Sequence, residues 1–215
     1  MPDFVSLKAS GLSDAYDAEV HGEQPVVTVE EKKDSIEVSY IFPGFTISDD
    51  DHEVEGKPMP FKEVGISGAG FVSESGHPLL PSFGRYVQIP LGCNFEITVK
   101  SSKPIEFEDV LVTPAQEEAT DEAESKFEFD QKAYSKDTLY PERIVDVSGP
   151  QNMDDYNVLL IHIRPLQYNP AKRLLLGFSN ITVVINLSPR HSPGSRPARQ
   201  SPQPNPCCGR WERRL

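Results

Sequence analysis

Three cysteines in 215 residues are too few for the disulfide framework of a small secreted domain, and no Cys-x-x-Cys pair offers a zinc or redox site. Long apolar runs are missing too. The longest stay below about ten residues, short of the roughly twenty that a membrane-spanning helix needs, so no membrane insertion is expected. The opening MPDFVSLKASG lacks the charged-then-apolar build of an export signal, and by itself it predicts a chain that stays in the cytoplasm. No apolar repeat of 3.6 residues lasts three turns, so long helices are not expected. Positive charge is scarce: 21 Lys and Arg against 33 Asp and Glu give −12, which disfavours nucleic acid and anionic membranes as partners. A nucleophile with a base is missing as well. Cys93, in LGCNF, reads as a small core hydrophobe, and the five histidines are scattered.

What the chain does have is punctuation. Twenty prolines and 14 glycines separate short segments that alternate apolar and polar residues: VVTVEE (26–31), IEVSYIF (36–42), RYVQI (85–89), FEITVK (95–100), IEFEDVLVT (105–113), NVLLIHIR (157–164) and NITVVIN (180–186). Period-two alternation at this spacing predicts strands with one apolar face each, which a second sheet must cover. The expected fold is all-β, an antiparallel β-sandwich of Greek-key or jelly-roll type over residues 25–187. Residues 1–24 are polar and predict a loose arm or an edge strand. His162, within NVLLIHIR, is expected to be a satisfied sheet histidine.

Residues 188–215 differ in kind. They hold six arginines and one acid, a local +5 that leaves −17 for the rest of a chain whose total is −12. Six prolines, the adjacent Cys207 and Cys208 and the only Trp lie there without apolar periodicity, which predicts a disordered basic tail. So abrupt a change of composition after a strand is what a chain that has lost its natural continuation would show.

Two acidic segments could carry function. SDDDHEVEG (48–56) gathers five carboxylates around His52, but no DxDxDG spacing brings them together as calcium ligands, so a solvated acidic loop is expected and no metal site. The stretch TPAQEEATDEAESKFEFDQKAY (113–134) interrupts the strands with acidic, polar residues. Loops of this length inside a compact domain are uncommon unless they are disordered or bind something.

Four further segments carry a resemblance: GHPLLPSFGRYVQIPLG (76–92), FEITVKSSKPIEFEDVLVTPA (95–115), YSKDTLYPE (134–142) and IRPLQYNPAKRLLL (163–176). In that order and spacing they resemble the pro-segment of gingipain-type cysteine peptidases. Gly76, Pro78, Leu80 and Pro81 match the family's opening motif, Tyr140 and Pro141 its central one. Pro165, Leu166, Gln167, Tyr168, Asn169 and Pro170 match its PLQYNP turn, where Gln167, Tyr168 and Asn169 are expected to hold a corner between two stiff prolines. The resemblance implies a β-sandwich pro-domain without catalytic residues or cofactor, whose partner is the cognate catalytic domain, in cis or in trans. It would assist folding of that domain and cover the active-site cleft with a loop following Thr113 and Pro114. It also implies a cysteine endopeptidase as parent, an extracellular or cell-surface location and an N-terminus that is incomplete here. Counting forward from Asp109 places the inhibitory position near Asp121. There the family has a basic residue and this chain has an acid, so Asp121, its neighbour Glu122 and the loop's one basic residue, Lys126, are the candidates. The rival reading is a free-standing adhesion or ligand-binding module that uses its acidic loops, with calcium as one conceivable ligand.

Overall fold

A computed structural model describes residues 2–7, 23–117, 127–153 and 156–189. Its strands, in chain order, are β1 (Asp3–Ser6), β2 (Val26–Lys32), β3 (Ser35–Ile41), β4 (Gly44–Val54), β5 (Lys57–Gly65), β6 (Gly70–Phe71) and β7 (Pro81–Ile89). There follow β8 (Cys93–Ser101), β9 (Ile105–Phe107), β10 (Val145–Met153), β11 (Tyr156–Ile163), β12 (Leu166–Asn169), β13 (Leu174–Gly177) and β14 (Asn180–Pro189), with one short helix, α1 (Gln131–Tyr134), before β10. The sheet orders are β2-β3-β14-β8, β10-β11-β7-β6, β1-β4-β5 and β12-β13-β9, and the strand pairs are antiparallel.

Alternation decides which side of each strand turns inward. Ile36, Val38 and Tyr40 of β3 and Ile181, Val183 and Ile185 of β14 are buried, and register sets each opposite its partner. Each such side chain stabilises the fold by about 1.5–3 kcal/mol relative to exposure. Tyr40 and Phe42 meet Phe83 of β7 at ring separations of 6.1 and 5.4 Å, which joins the two four-stranded sheets. Phe45 of β4 meets Phe107 of β9 edge-on at 5.1 Å, which joins the two three-stranded sheets. One continuous core runs through all four.

At the N-terminus β1 pairs with β4 at the edge of its three-stranded sheet. Leu7, just after β1, is fully buried over Gly177, where an added Cβ would collide with Leu7 Cδ2. At the other end β14 runs past residue 187, with Ser188 and Pro189 paired to Asn94 and Cys93. From residue 190 onward the tail lies outside the described residues. Cys93 is not a core thiol: it is half-buried at the head of edge strand β8 and is disulfide-bonded. Cys207 and Cys208 lie outside the described residues.

Three further expectations are corrected. SDDDHEVEG is a long hairpin: β4 turns at Glu55 and Gly56, both at positive φ, into β5. Asp and Glu are depleted in strands generally, which hid the alternation. The 105–113 segment is a strand only to Phe107, because Asp109 adopts φ 56° and turns the chain onto a new path. Finally, Gln167, Tyr168 and Asn169 do not form a turn. They lie in β12, paired with β13 and buried, and the turn falls at residues 170–173.

Candidate functional site

The acidic segment 118–126, with Asp121, Glu122 and Lys126, lies outside the described residues, whereas both arms that lead to it are described. The exit arm, residues 110–115, is buried throughout. On one side it pairs with β5, through Lys62 N–H to Leu111 O (2.7 Å) and Thr113 N–H to Lys62 O (2.9 Å). On the other, Leu79 N–H reaches Thr113 O (2.9 Å), Ala115 N–H reaches His77 O (2.8 Å) and Gly76 N–H reaches Ala115 O (2.8 Å).

Gly76 joins the two arms. Its carbonyl accepts from Asp130 N–H of the return arm at 3.2 Å, and its φ of 77° is one that side chains rarely adopt. An added Cβ would also lie 3.1 Å from Asp130 N. Asp130 then caps α1, its Oδ1 accepting from Lys132 N–H at 2.8 Å. Hydrogen bonds from the Lys132 and Ala133 amides hold its carboxyl below the usual range.

Side chains close the stem. Gln116 donates to Glu128 O and Pro114 O, both at 3.0 Å, and accepts from Glu128 N–H at 2.8 Å, while the Ser75 hydroxyl donates to the Glu128 carboxylate. Phe127 stacks on His52 of β4 at 4.0 Å and leans on Phe61 of β5 at 5.4 Å. The His52 ring meets Asp50 Oδ1 at 2.8 Å, and Asp50 Oδ2 accepts from the Thr113 hydroxyl at 2.8 Å, so one strand touches both arms. Tyr134 donates to Val112 O at 2.6 Å, and burial pushes its phenol far up.

The family-motif residues surround this stem. Pro78 bridges Pro114, Leu80 is buried and Pro81 opens β7. Tyr140 and Tyr168 exchange backbone hydrogen bonds at 2.8 and 2.7 Å, and the peptide bond from Tyr140 to Pro141 is cis. In β12, Gln167 donates to Pro141 O (2.8 Å) and Glu142 O (3.2 Å), Tyr168 to Val110 O (2.9 Å) and Asn169 to Asp137 Oδ1 (2.8 Å). Burial pushes the Tyr168 phenol up to about 12. Pro165 and Leu166 are buried where β11 passes into β12, and Pro170 opens the turn that follows. Beside the stem lies a cleft of about 840 Å³ lined by Val54, Met59, Phe127, Phe129, Tyr134 and Arg173 among others. The stem contacts of Gln116, Ser75, Asp50, His52 and Tyr134 were missed in the sequence, because nothing local to any of them signals a partner at least a dozen positions away.

Comparison with known proteins agrees with this geometry. Residues 17–200 match the family described as Propeptide_C25. Gingipain R2 of Porphyromonas gingivalis is 30% identical over 118 residues, 54% of this chain, and gingipain R1 of the same species is 30% identical over 117 residues. The chain spans only 16% and 12% of those proteins. Among solved structures, one on the zymogenic latency of gingipain K from P. gingivalis superposes with a TM-score of 0.66 at 18% identity, covering 87% of this chain and 98% of that one. A second, the complex of P. gingivalis RgpB pro- and mature domains, gives 0.64 at 21% identity, covering 78% and 86%. At those identities the superpositions speak for the fold, and the family match over most of the length speaks for kinship: the chain belongs to the C25 propeptide family.

Proposed function

We propose that this chain is the pro-domain of a gingipain-like cysteine peptidase, that it inhibits the catalytic domain and aids its folding, and that the 118–126 segment enters the active-site cleft. The observation that supports this reading most is the stem. A propeptide fold ties both ends of one acidic segment to its core through Gly76, Gln116 and Phe127, and an inhibitory segment presented from a rigid base loses less entropy on binding. The partner is the catalytic domain, in cis or in trans, and the site of action is outside the cell or at its surface. The pro-domain unit is residues 25–187, onto which β1 and Leu7 pack.

Asp121, Glu122 or Lys126 fills the specificity pocket. A buried, unpaired charge costs several kcal/mol, so whichever enters requires an opposite charge in the pocket. The test is inhibition of mature gingipain R2 by the isolated chain. Asp121→Ala or Lys126→Ala should weaken it tenfold or more, about 1.4 kcal/mol. Unchanged inhibition constants for both, and for a variant with residues 118–126 replaced by glycine and serine, would remove the segment from the mechanism.

A further inference from the structure

Gln116 is exposed, yet each end of its carboxamide is bonded. Nε2 donates to Pro114 O and Glu128 O at 3.0 Å, and Oε1 accepts from Glu128 N–H at 2.8 Å. The side chain thus trades a donor and an acceptor with one peptide residue, as two strand residues do across an antiparallel ladder. Glu128 is exposed as well and contributes nothing to the core. It is nevertheless held at its N–H, its carbonyl and, by the Ser75 hydroxyl, its carboxylate. Bonds that fix an exposed residue so fully serve the relative placement of the two arms rather than burial.

We infer that Gln116 is a positioning residue: its carboxamide fixes the return arm against the exit arm and thereby sets how strongly the pro-domain inhibits, with little effect on its stability. This rests on the inhibitory reading above. An arm held in register before binding spares the complex the cost of ordering it, so loss of the clasp should appear in affinity.

The experiment uses the full chain with three readouts: amide exchange at Glu128, thermal midpoint and inhibition of mature gingipain R2. Gln116→Ala should speed Glu128 exchange at least tenfold, leave the midpoint within about 2 °C and weaken inhibition about tenfold. Gln116→Glu keeps an acceptor for Glu128 N–H and loses the donor to Glu128 O, so it should fall between Gln116→Ala and the native chain. Unchanged exchange in Gln116→Ala means that there is no clasp. Faster exchange with undiminished inhibition, or a midpoint fall that accounts for the lost inhibition, means that the clasp does not position. If the native chain itself fails to inhibit, the inhibitory reading falls and the positioning role with it, while Glu128 exchange still reports whether the clasp exists.

Discussion

Seven consecutive residue pairs join β3 to β14, and three of them set buried apolar side chains against each other, Ile36 and Ile185, Val38 and Val183, Tyr40 and Ile181, while Ser39 and Thr182 share a side-chain hydrogen bond. At the stem the ladder gives way to isolated bridges, and the contacts run from side chain to backbone: Tyr134 to Val112 O, Tyr168 to Val110 O, Gln167 to Pro141 O, Gln116 to Glu128. A ladder repeats one interaction and tolerates conservative exchange of its side chains. The stem repeats none of its contacts, so removing Tyr134 or Tyr168 leaves a carbonyl of the buried exit arm unpaired. The part that carries the proposed function is thereby the part most exactingly specified.

The sharpest break of this contrast is Tyr168→Ala. Tyr168 is fully buried and joins the exit arm to β12 through Val110 O, so truncation should cost about 3–5 kcal/mol through the cavity and the orphaned carbonyl. Ile181→Val, in the ladder, should cost only about 0.5–1.5 kcal/mol. Urea denaturation of both variants checks this. Equal losses would mean that the stem is no more specialised than the sheets.

Next in size is a response to alkali. Burial raises the phenols of Tyr134 and Tyr168, the latter to about 12. In the unfolded chain both ionise near pH 10. A raised folded value means that their contribution is fully present below about pH 10 and is lost as pH rises from there toward about 12, because the unfolded state releases protons first. Urea midpoints between pH 9 and 12 should fall accordingly, and the paired variant Tyr134→Phe/Tyr168→Phe should fall less steeply from a lower start. Tyr40, within the ladder, is also raised by burial. An unaltered slope in the paired variant would move the effect there.

The same contrast explains what was legible in the sequence. Strands with strict alternation, such as β2, β3, β11 and β14, stand out because a repeated pattern is local. The β4–β5 hairpin was hidden by its acids, yet its inward row Asp50, His52 and Val54 alternates with the exposed Asp49, Asp51 and Glu53. Gln167, Tyr168 and Asn169 were singled out as motif residues but placed in a turn, because polar side chains between prolines usually mean one. Their partners Pro141, Val110 and Asp137 lie 26, 58 and 32 positions away, and no periodicity encodes a single long-range bond. Gly76 was legible as part of a motif. Its reason, the approach of Asp130, needed three dimensions.

The smallest effect separates two carboxylates. Lys32 and Glu37 lie 2.7 Å apart across the β2–β3 hairpin, each with its titration shifted by the other. Asp50 of β4 instead accepts from Thr113, whose residue is buried, and from the ring of His52. Both look like well-made polar contacts. Solvent screens the first and lets either partner hydrate when the other is lost, so exposed pairs of this kind contribute little. Loss of Asp50 leaves a buried hydroxyl without its acceptor and frees His52 from one side, at a cost of about 1 kcal/mol. Lys32→Ala should therefore leave the thermal midpoint unchanged at low and high salt, while Asp50→Ala should lower it by about 2–4 °C and speed exchange of the Thr113 amide. A salt-dependent loss in Lys32→Ala matching that of Asp50→Ala would show that the ladder region, too, depends on single polar contacts.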